Sequence, residues 1–142
     1  MKNSNTVKSI AAACVFASAH VHAALDCTKD RDACARTLVA ETAGFITECG
    51  KAYPDAKDLF DKVFKHWPVL KLKIPGLAEV LDPASTLRTT WNANAADYLA
   101  KLAPDKREAE CSGRLATLTT PEPTLTGNSA QLPPDALKAY GQ

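Results

Sequence analysis

Residues 27–50, CTKDRDACARTLVAETAGFITECG, decide the fold. Ala33, Cys34, Leu38, Thr42, Phe45, Ile46 and Cys49 recur at three- and four-residue intervals, so they share one stripe of a helix. Arg36, Glu41 and Glu48 fall mostly away from that stripe. Asp26, Thr28 and Asp30 each suit a capping position, because a short side-chain oxygen can accept one of the N–H groups left over at a helix start. Gly50, with Pro54 close behind it, is the expected stop. A helix of about 20 residues is ~30 Å long. The rest of the chain is expected to lie against it as shorter helices.

The same stretch holds three of the chain's five cysteines, Cys27, Cys34 and Cys49. Cys111 lies far downstream, and Cys14 sits in an apolar leader. An even count of four in a short exported chain reads as a disulfide framework, for which three connectivities exist. Helix length chooses among them. Bridged Cα atoms lie within about 7 Å, whereas residues 15 apart in a straight helix are separated by ~22 Å. Cys34 therefore cannot reach Cys49, and Cys27–Cys49 fails in the same way. Cys27 with Cys34 and Cys49 with Cys111 is the remaining set. It requires Cys27 to sit in coil and fold back onto the first turns, and it weakens if the helix bends at Gly44.

The segment after Pro54 has the cleanest period. Ala56, Leu59, Phe60, Val63, Phe64 and Trp67 form an apolar face opposite Asp55, Lys57, Asp58, Asp61, Lys62 and Lys65. Pro54 suits the first helical position and Pro68 the stop. Val69 to Ile74 reads as an extended connector, since a lone strand would leave its ladder unpaired. A short helix over Leu77, Val80 and Leu81 follows Pro75-Gly76. Asp82-Pro83 is expected to start the next helix, with Leu87, Trp91, Ala95, Tyr98, Leu99 and Leu102 inward. Pro104 opens the last one, with Cys111, Leu115 and Leu118 inward. Thr119 to Gln142 is rich in Pro, Gly, Thr and Ser, and reads as a disordered tail in which Pro134 to Tyr140 forms at most one helical turn or a short recognition peptide. The expected fold is thus all-α: a small disulfide-stapled bundle of four main helices and one short helix over residues 24–118, with a flexible tail over 119–142.

Residues 1–23 read as a secretory signal. Lys2 and Lys8 precede an apolar run from Ile10 to about Val21, too short to span a bilayer, and Val21-His22-Ala23 offers a cleavage site after Ala23. Cleavage before Cys14 as a lipoprotein is the rival, set back by a missing Leu three positions ahead and by the apolar residues that follow. Removing residues 1–23 takes Lys2 and Lys8 from 17 basic residues and nothing from 16 acidic ones, leaving 15 against 16. A near-neutral chain has no global field for nucleic acid. The expected destination is the periplasm or the medium, with no membrane span after processing.

Catalytic templates run short of residues. His66 is the one histidine after residue 23, and no nucleophile elbow accompanies it. Zinc, haem, phosphate-loop and thiol-redox motifs are absent, so no metal and no cofactor is expected. Asp55, Asp58, Asp61 and Asp82 supply the carboxylates of a hydrolase only by alternating with lysines, the pattern of a solvated face. Lys57, Lys62, Lys65, His66, Lys71 and Lys73 instead gather about Trp67. Lys62, Lys65, His66, Trp67, Lys71 and Lys73 are the candidate partner-binding residues, facing an acidic protein surface. These features suggest an exported, non-catalytic binding protein, such as an inhibitor or immunity protein against an envelope-acting enzyme. A structural or chaperone-like envelope protein is the alternative, ahead of a hydrolase built on the aspartates. The protein partner and the oligomeric state are not specified.

Overall fold

The computed structural model describes residues 25–128 and 130–141. Among the described residues the fold is all-α apart from one two-residue ladder, and the leader expected over residues 1–23 lies outside them. Helix α1 spans Arg31–Ala52, α2 Lys57–Lys65, α3 Leu77–Leu81, α4 Thr86–Lys101 and α5 Pro104–Leu118. Asp30 caps α1, accepting a 2.9 Å bond from the Ala33 N–H.

The first helix is central rather than one-sided. Every residue from Leu38 to Ile46 is buried, so the apolar stripe described above is only part of what α1 hides. Ala35, Ala40, Ala43 and Gly44 are small enough for neighbours to close around the helix on several sides. Glu41 is the clearest correction: it faces the interior, not the solvent. Gly50 is another, because it lies within α1, and the helix runs on to Ala52. The stop is Pro54, which disfavours helical backbone in the residue before it; Tyr53 accordingly turns extended, at φ −126° and ψ 75°.

The most extensive contact of α1 is with α4, and Gly44 makes it close. A Cβ built on Gly44 would lie 2.8 Å from both the carbonyl carbon and the oxygen of Trp91. Those are backbone atoms of another helix and cannot swing aside. Gly44→Ala should therefore destabilise the domain by about 1–3 kcal/mol as α4 is pushed outward, despite alanine's better helix propensity. A urea titration measures it, and a neutral or stabilising result would show that the two helices can separate freely here.

A 3₁₀ turn over Pro54–Ala56 leads into α2, whose Phe60 is buried against the core. Trp67 just beyond it is buried too, with its ring centroid 5.9 Å from that of Phe64. The connector begins as a second 3₁₀ turn, Pro68–Lys71, and buries Val69, Leu72 and Ile74 while Lys71 and Lys73 stay exposed. The cap of α4 is Ser85, three residues later than expected; its Oγ accepts from the Arg88 N–H at 3.3 Å. Asp82 instead accepts from the Ala84 N–H at 2.9 Å, closing the turn before the helix. Arg107 of α5 donates from Nε to the Leu99 carbonyl at 2.8 Å and from Nη2 to that of Leu102 at 3.2 Å, satisfying the end of α4.

Both disulfides form as helix length requires. Cys27 lies in the turn before α1 and folds back to Cys34, with Cα atoms 5.3 Å apart, and Cys49 near the other end joins Cys111 of α5 at 5.7 Å.

The segment after Leu118 departs from expectation. It folds across the bundle instead of trailing from it. Strands β1 (Leu125–Thr126) and β2 (Gln131–Leu132) pair antiparallel, Leu125 opposite Leu132, and a short helix α6 (Pro134–Leu137) follows. Leu125, Leu132, Leu137 and Tyr140 are all buried. They share no helical or strand period; turns and prolines deliver each one separately. Prolines also restrict the unfolded chain, which lowers the entropy lost on ordering. The Tyr140 hydroxyl donates to Asp32 Oδ1 at 2.8 Å, and the Arg31 guanidinium lies 5.2 Å from the ring centroid. Burial, with Asp32 adding to it, holds that hydroxyl above the usual tyrosine pKa.

Candidate partner-binding surface

Helix α2 carries two neighbouring stripes. Ala56, Phe60, Phe64 and Trp67 turn toward the core. Leu59, Lys62, Val63 and His66, at positions i, i+3, i+4 and i+7, line a groove whose other wall is Pro68 and the Leu118–Pro121 segment. Leu59 is 51% exposed, a departure from the buried position its period suggests. The groove encloses about 460 Å³, within the range of ligand-sized clefts. No carboxylate lines it; Lys62 is the charged residue on its lining, beside the His66 imidazole.

Most lysines away from this edge are paired, Lys106 of α5 being exposed and without an ion pair among the described residues. Lys29, Lys51, Lys57, Lys101 and Lys138 each pair with a carboxylate three or four residues away. Among the described residues Lys62, Lys65, Lys71 and Lys73 have no such partner, and all four are exposed, as is His66. Their charge is therefore not neutralised by any ion pair among the described residues. Trp67 must be removed from the candidate set: at 2% exposure its ring is core. Periodicity places it on the buried face, so its burial was legible from the same pattern that suggested the patch. Leu59 is the residue that pattern missed.

The four aspartates weighed for hydrolysis, Asp55, Asp58, Asp61 and Asp82, are exposed. Asp61 pairs with Lys57, and Asp82 closes the turn before α4. Among the described residues, no three His, Cys, Asp or Glu side chains converge as a metal site would require.

Two charged side chains among the described residues are buried, Glu41 and Arg88, and both hold elements together. Glu41 is fully buried, and its Oε1 accepts a 2.6 Å bond from the Asn128 N–H and lies 3.5 Å from Arg114 Nη1. Arg114 has several partners: Nε donates to Glu110 at 2.8 Å, Nη2 donates to Asn128 Oδ1 at 2.7 Å, and the guanidinium carbon sits 3.7 Å from the Phe45 ring centroid. Gly127 makes this approach possible, since a Cβ there would fall 2.2 Å from Glu41 Oε2. Arg88, on α4, donates to the Leu81 carbonyl and to Thr47 Oγ1, both at 3.3 Å, and burial lowers its pKa. With bonds to α1, to its own helix and to Asn128, Arg114 ties three parts of the chain together. No protein-family model, no curated protein and no solved structure matches this chain.

Proposed function

We propose that the protein is an exported, non-catalytic binding protein whose α2 edge docks an acidic protein surface, and that it acts by occluding its partner, as an inhibitor or immunity protein of an envelope-acting enzyme does. The observation that carries this reading is the contrast in ion pairing. Lys62, Lys65, Lys71 and Lys73 remain exposed around one edge without a carboxylate partner among the described residues, whereas Lys29, Lys51, Lys57, Lys101 and Lys138 each pair with a carboxylate three or four residues away, and the one further unpaired lysine described, Lys106, lies on α5. Unpaired charge on a rim raises encounter rates and selects partners of opposite sign. The two disulfides fit an oxidising compartment, and a small, cross-linked helical domain offers a preorganised surface, which lowers the entropic cost of association.

Cross-linking in envelope extracts, followed by titration of the captured protein, tests the reading. Lys62→Glu with Lys65→Glu should weaken the complex by about tenfold or more, chiefly through slower association, and should flatten its salt dependence. Failure to recover any partner, or an affinity indifferent to both substitutions and salt, would remove the proposal.

A further inference from the structure

We infer that the groove between α2 and the Leu118–Pro121 segment receives a bulky apolar side chain from an acidic stretch of the partner. This inference rests on the binding reading above and names where and what the protein binds. Three features converge on it. Leu59 and Val63 present an apolar strip beside Leu118, Pro68 and Pro121, forming a concave wall that nothing else among the described residues fills. Leu59 is the most exposed large apolar side chain described, and it stands at the mouth of that groove instead of on a convex face. The charge on its lining is positive: Lys62 is on the lining, and Lys65 lies one turn from Lys62. The nearby carboxylates of α2 do not line the groove, and Asp61 is already bonded to Lys57.

The combination specifies the occupant. A cavity of about 460 Å³ accommodates one or two large side chains with room for their backbone. An apolar anchor in a desolvated pocket supplies most of the affinity of small interfaces, and rim charges set choice of partner and rate of encounter. A peptide alternating Asp or Glu with Leu, Ile, Met or Phe meets both requirements. A neutral apolar peptide would leave the lysines unmatched, and a basic one would be repelled. A comparison within the same molecule sharpens this. A larger cleft of about 540 Å³, beside α6, has Glu122, Asp135 and Lys138 as the charged residues on its lining, and Lys138 is already paired with Asp135. It offers no unopposed positive charge.

The test is a phage-displayed library of random peptides, selected against the intact, disulfide-bonded protein. Enriched peptides should pair acidic residues with a large apolar one. Leu59→Arg should weaken them by about tenfold or more. Because Leu59 is half exposed, that variant should keep its helical circular dichroism and both disulfides. Lys62→Glu should weaken them more at low salt than at high salt. Selected peptides without acidic residues, undiminished binding by the Leu59→Arg variant, or no enrichment would each overturn the inference. So would salt-sensitive binding to phosphatidylglycerol vesicles that Leu59→Arg abolishes, since the groove edge would then be a lipid contact. The broader proposal fails separately: it falls if no protein partner exists, whereas a captured partner indifferent to Leu59→Arg sinks only the groove.

Discussion

Glu41→Ala is expected to destabilise the domain by about 3 kcal/mol, the low end of what removing one member of a buried ion pair costs. The substitution leaves the Asn128 N–H without its 2.6 Å acceptor and strips Arg114 of a fully buried counter-charge. Arg114 keeps Glu110 and is 12% exposed, so the upper end of the range is not expected. Total stability of a domain this size is typically about 5–15 kcal/mol, so the loss is a large share of it. Urea unfolding should show the midpoint falling sharply. A second variant separates the charge from the packing. Glu41→Leu combined with Arg114→Met replaces the pair with apolar volume and should recover much of the loss, as buried ion pairs often have apolar equivalents. If the double variant were as weak as Glu41→Ala alone, the defect would lie in the hairpin's backbone contact and not in the stranded guanidinium.

Removing the Cys49–Cys111 bridge should cost about 4 kcal/mol, roughly twice the effect of removing Cys27–Cys34. The difference follows from loop length. The first bridge closes a separation of 62 residues and the second only 7, and the chain-entropy relation then gives about 4.3 and 2.3 kcal/mol. Cys49→Ala with Cys111→Ala should therefore abolish cooperative melting near body temperature, while Cys27→Ala with Cys34→Ala should only lower the melting temperature. Equal effects from both pairs would mean that the entropy of the unfolded chain is not what these cross-links act upon.

Much of this architecture can be seen in the chain, and the exceptions have physical causes. Asp30, Pro54, Pro68 and Pro104 mark helix ends because capping and the missing proline N–H act locally, within a few residues. The bridges follow from helix length, which is also local. Periodicity does not reveal the burial of Glu41, because a period reports the average side a residue faces, and α1 is enclosed on several sides. What keeps Glu41 inside is Arg114, 73 residues away, and Asn128, 87 away. No local pattern encodes such partners. The order of the last segment is hidden for a related reason. Its composition is that of a disordered chain, yet Leu125, Leu132, Leu137 and Tyr140 each find a separate place on a surface built by other elements. At the candidate site the basic residues were legible from charge alone. Leu59 and the groove were not, because the second wall comes from Leu118–Pro121, which only the three-dimensional arrangement brings beside α2.

The closing contacts also impose an order of events. Asp32 waits for Tyr140, 108 positions later, and Glu41 for Asn128. A polypeptide delivered amino end first leaves the Leu38 side of its central helix wet, and the Glu41 carboxylate hydrated, until residues 125–141 arrive. Contacts of such long range are entropically late. The longest helix thus spends its delivery time as a half-covered surface, and the stretch that looks most expendable is the one that seals it.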